Sequence, residues 1–258
     1  MNIFDFNYEE FEIFLFVFIR VGAIVIFAPV LGSGTVPRTL KIGLIFMVSV
    51  LVFPLVDSVL LVRPRGMLDL GVRLLSEGAI GLIIAYAARL VFVAVQVAGT
   101  VIDFQMGFGV VNVIDPQTNT QVSVTAQFQS ILAILLFLAL DAHHFFIHAI
   151  VDSFKIINPD HFNFSASTME FFLNLFAGAF VTAVKLAAPA MAVLFFISVA
   201  LGLIARTVPQ MNVFIVAFPL QIGMGLLMIG LTMTFFVMIV KQQFLDMPFH
   251  FVGLMRTM

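Results

Sequence analysis

Residues 169–205 read MEFFLNLFAGAFVTAVKLAAPAMAVLFFISVALGLIA, an apolar run in which Glu170 and Lys185 are the only charged residues. As a helix, these 37 residues would extend about 55 Å, although about 20 apolar residues are enough to cross the hydrocarbon layer of a membrane. The run therefore predicts a membrane helix longer than one span requires. Pro189 lies near its middle and removes a backbone hydrogen bond, so we expect a kink or a break in the helix there.

The rest of the chain repeats this pattern. Five more runs are long and apolar enough to cross a membrane as helices, at 11–31, 42–62, 78–102, 128–150 and 213–240. None of them alternates polar and apolar residues as a membrane β-strand does. The sequence therefore predicts an all-α integral membrane protein, with 1–258 as a single membrane domain of about six hydrophobic helices. Pro219 falls within the last run and predicts a second helix break.

The composition agrees with lipid as the solvent. Apolar residues make up 62% of the chain and charged residues 10%, whereas soluble domains carry about 25% charged residues. The net charge of −2 argues against a nucleic-acid partner, because binding phosphates needs clustered Lys and Arg. The chain has no cysteine, which excludes disulfides, zinc–thiolate sites and thiol nucleophiles. The acidic N-terminus differs from the basic start of a signal peptide, so we expect the first apolar run to be retained.

Three cations lie inside the predicted spans: Arg20, Arg89 and Lys185. A central Arg costs about 2.5–3.5 kcal/mol on the membrane-insertion scale. We therefore predict that all three are buried intramembrane charges, which face protein or a cavity and meet acidic side chains or backbone carbonyls. The candidate acids are Asp57, Glu77, Asp103 and Asp141. The loop Lys and Arg residues are divided too evenly to fix the orientation in the membrane.

No motif of an enzyme stands out. His144 and His148 share a helical face, as zinc-binding histidines do, but the residue after His144 is Phe145 and no acid lies between the pair. The pair is better explained as a polar cluster at a helix end. Gly107-Phe108-Gly109 lacks the third glycine of a dinucleotide-binding loop. We predict that the protein is not an enzyme and has no catalytic residue, no cofactor and no metal site.

The stretch 103–124 is the most informative loop. It is too polar to cross lipid, yet Phe104, Met106, Phe108 and the run 110–114 are too apolar for a solvated linker. Long loops of this kind are usually functional. Non-helical backbone at membrane depth is stable only when it is buried in protein or lines a watery cavity. We interpret the stretch as a re-entrant or plugging segment, with a loop on the membrane surface as the alternative.

Short motifs also occur in a fixed order along the chain. They are Arg20, Ala28-Pro29-Val30-Leu31-Gly32, Pro37-Arg38-Thr39-Leu40-Lys41, residues 99–103, Gln105-Met106-Gly107-Phe108, Asp115-Pro116, Phe137, His143-His144, Ser153-Phe154, Pro159, Leu186-Ala187-Ala188-Pro189, Gly202-Leu203-Ile204-Ala205-Arg206, Pro209-Gln210-Met211-Asn212 and Phe218-Pro219-Leu220. By this ordered set the chain resembles the FliR/SctT family of type III export apparatus proteins. Asp115-Pro116 favours the flagellar FliR branch over the injectisome SctT branch.

The resemblance implies a fold and a function. It implies kinked helices in hairpins, with a FliP-like region over 1–160 and a FliQ-like hairpin over 169–240. It also implies a subunit of the flagellar protein export gate, which forms part of the secretion pore. A plug loop would occupy about 104–124. Its expected plug residues are Met106, Gly107, Phe108, Gly109, Asp115 and Pro116.

The implied surroundings follow from the same resemblance. The partners would be FliP-like and FliQ-like subunits in a hetero-oligomeric helical complex, FlhB- and FlhA-like export components, unfolded exported flagellar proteins, and membrane lipid. The location would be the bacterial inner membrane, at the flagellar basal body.

Two other classes compete with this interpretation. In a small secondary transporter, Arg20, Arg89 and Lys185 would bind a substrate anion. Such a transporter predicts two similar halves with a broken helix in each, and Pro189 has no counterpart in the first half. An intramembrane metalloenzyme using His144 and His148 ranks third.

Overall fold

The computed structural model describes residues 8–56, 66–108, 123–157, 165–210 and 212–258. Within these ranges every regular element is helical, which confirms the all-α prediction. The helices are α1 (Tyr8–Phe27), α2 (Arg38–Val52), a 3-10 turn (Phe53–Leu55), α3 (Met67–Gln105), α4 (Val124–Ala139), α5 (His143–Ile156), α6 (Ala166–Thr207), α7 (Val213–Leu231) and α8 (Met233–Met255).

Four of these segments are long and apolar enough to cross a membrane: Arg38–Leu55, α3, α6 and α7. The pair α4 and α5 makes a fifth if its two helices, bent by 67° at the break between them, form one span. The predicted run 128–150 is therefore two helices. The run 213–240 also holds two, since α7 ends at Leu231 and α8 begins at Met233. The run 11–31 is not among the spans, because the 20 residues of α1 carry four charged side chains, those of Glu9, Glu10, Glu12 and Arg20.

Neither Pro189 nor Pro219 ends its helix, so a full break is wrong at both sites, and a kink there stays a prediction. α6 is helical for 42 residues with Pro189 inside it, and α7 is helical for 19 residues with Pro219 inside it. A proline removes one backbone hydrogen bond, and a membrane helix tolerates this loss when neighbouring groups satisfy the freed carbonyl. The helix therefore continues on both sides of each proline.

One compact unit contains Met1–Leu90, Asp141–Phe176 and Leu245–Met258. In it α1 packs on α2, and the ring of Phe14 lies 6.0 Å, between centroids, from the rings of both Phe46 and Phe53. Phe146 of α5 and Phe251 of α8 make an edge contact at 5.7 Å. The core of this unit is thus built from aromatic side chains on helices far apart in sequence.

A second compact unit contains Val91–Leu140 and Ala177–Phe244. Its core includes a triad of rings, Phe92, Phe137 and Phe244, with centroids 5.4–5.7 Å apart. Three helices, α3, α6 and α8, contribute residues to both units. The division does not coincide with the predicted boundary between 1–160 and 169–240. That FliP-like and FliQ-like division stays a prediction.

Candidate functional site

The loop predicted to act as a plug is anchored by described residues on both sides. Residues 109–122 lie outside the described ranges, and with them the predicted plug residues Gly109, Asp115 and Pro116. Residues 103–108 precede this loop and residues 123–126 follow it, all in the second compact unit. We call these two segments the loop root. Their contacts define the candidate site.

The first segment ends α3 in a defined way. Gly107 has φ +88°, the left-handed region that glycine adopts without steric cost. The N–H of Phe108 donates to the carbonyl of Asp103 at 3.2 Å, and the N–H of Gly107 donates to that of Phe104 at 3.2 Å. This is the Schellman pattern of a helix C-terminus, with glycine at its usual position. The chain therefore leaves α3 in a fixed direction.

Asp103 connects the two segments. Its side chain is only 4% exposed. Its carboxylate accepts a hydrogen bond from the Ser123 hydroxyl and one from the backbone N–H of Thr125, at 3.1 Å to Oδ2. The Ser123 hydroxyl oxygen in turn accepts from the N–H of Ala126 at 3.0 Å and caps α4. One carboxylate thus joins the end of α3 to the beginning of α4.

Backbone packing supports this junction. A Cβ built on Gly99 would lie 2.3 Å from the Cα of Ala126, so only glycine permits this approach of α3 to α4. Met106 is fully buried, and a Cβ on Gly225 of α7 would lie 2.6 Å from its sulfur. A Cβ on Gly107 would lie 2.8 Å from the ring of Phe218. The loop root is therefore seated on α4 and on α7.

Three of the predicted plug residues lie in the described part of the chain. The Met106 side chain is buried against α7 within this chain. Gly107 provides the turn that follows, and Phe108 is half-buried. Met106 and Gly107 therefore belong to the loop root, and the assignment of the six residues to a plug stays a prediction.

A groove of about 770 Å³ opens beside the loop root. Its walls come from the end of α3, from α6 and from α7, including Phe104, Gly107, Leu201, Phe214, Phe218 and Gln221. Gln221 donates to the Ser198 hydroxyl across it at 3.1 Å. Among the described residues that line the groove, none has a titratable side chain. Its chemistry suits apolar contact.

The three predicted intramembrane cations differ in their surroundings. Arg20 is fully buried in the first compact unit, where its Nε donates to Glu77 and its Nη1 donates to the Ser153 hydroxyl at 3.2 Å. Its guanidinium carbon also lies 4.1 Å from the centroid of the Phe154 ring. Glu77 was one of the four candidate acids.

Arg89 and Lys185 are exposed on this chain taken by itself. Each lies on a face of its helix that the described residues leave exposed, whereas the neighbouring Ala88, Leu90, Leu186 and Ala187 are buried. Burial of these two charges therefore stays a prediction for an assembly.

His144 and His148 lie at i and i+4 within α5, so they share a helical face as predicted, and both are exposed. Among the described residues, the potential ligand atoms of Asp141, His143 and His144 lie within 4.8 Å of one another. α5 begins at His143, and Asp141, with φ 53°, lies in the turn before it. That the His144/His148 pair binds no metal stays a prediction.

Fold and site together define a polytopic helical membrane protein with an anchored loop and a buried ion pair. The sequence matches the family described as Bacterial export proteins, family 1, over residues 11–247. It is 38% identical to the flagellar biosynthetic protein FliR of Bacillus subtilis over 92% of each chain, and 30% identical to that of Aquifex aeolicus over 92% of each. It is 29% identical to the surface presentation of antigens protein SpaR of Shigella sonnei, over 83% of this chain and 84% of SpaR.

The chain therefore belongs to this family of bacterial export proteins, and it is a subunit of a type III export apparatus of the flagellar kind.

Proposed function

We propose that this chain forms part of the secretion pore of the flagellar export gate in the bacterial inner membrane, and that the loop at 109–122 plugs that pore. The observation that carries the proposal is the loop root. Its two segments are joined by the Asp103 carboxylate and seated on α4 and α7, so the loop begins and ends at one fixed place. A loop that must return to one closed position needs anchors of this kind.

The chemistry of the root suits a plug that is displaced and restored. Asp103 is held by neutral donors, and Met106 and Gly107 are held by apolar contacts. Segments held by modest contacts open locally at a fraction of the global unfolding free energy. Passage of an unfolded flagellar protein would displace the loop without unfolding the helices.

The surface of the chain supports partners within an apparatus. Large apolar side chains are exposed along α6 and α7, among them Phe195, Phe196, Phe214, Ile215 and Leu231. Apolar patches of this extent are covered by lipid or by protein. FliP-like and FliQ-like subunits are the proposed neighbours, with FlhB- and FlhA-like components beyond them. In this proposal, residues 1–160 of this chain are similar in fold to a FliP-like subunit, and the hairpin 169–240 is similar in fold to a FliQ-like subunit.

The similarity to SpaR favours one alternative. An injectisome export subunit would have the same architecture, and 29% identity over most of both chains keeps this second candidate open. Deleting the gene from its own host separates the two functions. A motility defect supports the flagellar role, whereas a secretion defect with normal motility supports the injectisome role.

Deletion of residues 110–120 tests the plug. The deleted chain should assemble with its partners at the parent level, because every described contact of the loop root lies outside the deletion. Cells expressing it should admit a small impermeant dye that parent cells exclude. If the deleted form assembles and stays as tight as the parent, the loop is a surface connector.

Co-purification tests the proposed partners. The chain expressed with FliP- and FliQ-like proteins should yield one stable complex, whereas the chain alone should aggregate because of its exposed apolar side chains. A monodisperse and stable monomer would contradict the assembly.

A further inference from the structure

The turn that precedes α5 brings together three side chains with metal-binding atoms. One carboxylate oxygen of Asp141 and one imidazole nitrogen each of His143 and His144 lie within 4.8 Å of one another. The centroids of the two imidazole rings are 4.2 Å apart, and the ring planes are inclined at 39°. All three residues belong to the first compact unit. Carboxylates and imidazoles are both ligands of zinc and of other divalent transition metals.

We propose that Asp141, His143 and His144 form a binding site for a divalent transition-metal ion, with zinc as the ion to be tested. The sequence predicted no metal site, because the pair His144 and His148 has no acid between its members. The structure shows an acid, Asp141, beside a different pair of imidazoles. The proposed site is independent of the pore and of the plug.

His143 distinguishes this cluster from a group of solvated surface side chains. Its Nδ1 is buried and has no hydrogen-bond partner among the described residues. A buried polar atom without a partner is costly, and native structures almost always supply one. A metal ion bound at this nitrogen would be the missing partner. The side chains of Asp141 and His144 are exposed, so they are solvated until the ion draws them in.

The backbone holds the three residues in place. The N–H of His144 donates to the carbonyl of Asp141 at 3.0 Å, and the N–H of Phe145 donates to that of Ala142 at 3.1 Å. Asp141 has φ 53°, in the left-handed region, where Asp is several-fold enriched among the residues other than glycine. Ala142 and Phe146 are buried and fix the start of α5 in the core. The cluster therefore exists before a metal binds.

The distances suit a tetrahedral ion after small side-chain rotations. Zinc binds imidazole nitrogen and carboxylate oxygen at about 2.0–2.2 Å, so its tetrahedral ligand atoms lie about 3.3–3.6 Å apart. Asp141 and His144 are exposed and can rotate to close the remaining gap. Three protein ligands leave the fourth position to water. Two imidazoles among three ligands favour zinc, copper or nickel over magnesium and calcium.

The first test is equilibrium dialysis of Zn²⁺ against the purified export gate. The parent gate should bind one more zinc ion per copy of this chain than the double variant His143→Gln/His144→Gln. Replacing an outer partner of a metal ligand already costs about 10–100-fold in affinity, so each single variant should weaken binding at this site by at least about 100-fold. Asp141→Asn removes the charge but keeps an oxygen, and its effect should be smaller. Zinc binding that none of these variants changes would overturn the proposal.

His148→Gln is the matched control. His148 is an exposed histidine one turn further along the face of α5 that carries His144, and it is not part of the cluster. This variant should bind zinc as tightly as the parent. A loss equal to that of His144→Gln would place the metal on the pair His144 and His148 and would contradict the proposed site.

Copper spectroscopy counts the imidazole ligands without reference to affinity. Cu²⁺ binds nitrogen and oxygen ligands more tightly than Zn²⁺ and should occupy the same site. Electron paramagnetic resonance spectra are recorded for each gate, and the spectrum of the double variant is subtracted to remove copper held elsewhere. The parent should show coupling to two imidazole nitrogens. His144→Gln, at an exposed position that leaves the core intact, should show coupling to one. Two nitrogens in both forms would refute the assignment of His144 as a ligand.

Discussion

Arg20 and Asp103 are both buried charges on apolar helices, but their charges are compensated in different ways. Arg20 meets a buried acid, Glu77, and the pair joins α1 to α3 with a further bond to Ser153 on α5. Arg20 Nη2 and Glu77 Oε1 still have no hydrogen-bond partner among the described residues. Asp103, by contrast, meets neutral donors at a helix N-terminus.

The difference determines what a substitution removes. Truncating either member of a buried ion pair leaves the other charge without compensation, at a cost of about 3–5 kcal/mol. Truncating Asp103 leaves behind its neutral donors, which water or the helix itself can satisfy. The buried ion pair therefore stabilises the fold. The contacts of a charge that is held by neutral donors can be lost without leaving an opposite charge uncompensated.

The largest effect is expected at the ion pair. Arg20→Leu or Glu77→Leu alone should destabilise the first compact unit by about 3–5 kcal/mol, and subunit accumulation in the membrane should fall sharply. The double variant should recover part of the loss, because it leaves no unpaired charge. Quantitative immunoblotting of the four forms measures the coupling. Strictly additive losses would show that the two charges do not interact.

A smaller effect is expected at Gly99. The Cβ of Gly99→Ala would overlap the Cα of Ala126 and push α4 away, at a cost of about 1–3 kcal/mol. The thermal unfolding temperature of the purified gate should fall. Gly223→Ala on α7 is the control, since a Cβ there meets nothing within 4 Å in the described part of this chain. Equal shifts in both variants would refute the close approach.

Lys41, like Asp103, is a charged side chain whose hydrogen-bond partners are neutral groups. Its Nζ donates to the carbonyls of Gly32 and Ser33 at 3.0 and 2.8 Å, in the turn before α2. Lys41→Met keeps the apolar stem and should cost about 1 kcal/mol, as loss of hydrogen bonds at a half-buried site predicts. Proteolysis at residues 28–37 should become faster. An unchanged rate of cleavage there would contradict the anchoring role.

The smallest effect is expected from pH. Burial of His250 on α8 lowers the pKa of its imidazole, and the nearby Asp246 offsets this only in part. The unfolded chain then binds more protons than the folded chain once the pH falls below about 6.5, so stability should decrease from there toward the lowered pKa. Unfolding temperatures at pH 7.5 and 5.5 should differ more in the parent than in His250→Gln. An equal difference would mean that His250 does not contribute.

The sequence was sufficient for the class of fold and for the location of the site. The length of 169–205 predicted α6, and the mixed polarity of 103–124 indicated the loop. It could not assign the partner of Arg20, because Glu77 is 57 residues away and three other acids were equally plausible. It treated Asp103 only as a candidate counter-ion, since nothing in a linear sequence shows that the N-terminus of α4 returns to it.

Local backbone preference did not decide whether a helix ends at a proline. α6 and α7 continue past Pro189 and Pro219, since a proline inside a helix removes only one backbone hydrogen bond. At His144 and His148 the spacing alone was sufficient, because both residues lie in α5 and share its face.

The length of α6 has a consequence for how hydropathy is interpreted. Its 42 residues extend about 63 Å, and a tilt of about 40° still leaves roughly 48 Å along the membrane normal. Cellular bilayers offer a hydrocarbon layer of about 27–33 Å. Even at this tilt α6 is longer than the layer is thick, so not all of its apolar turns lie in the hydrocarbon. For α6, a high hydropathy therefore covers more residues than a single crossing of the lipid can hold.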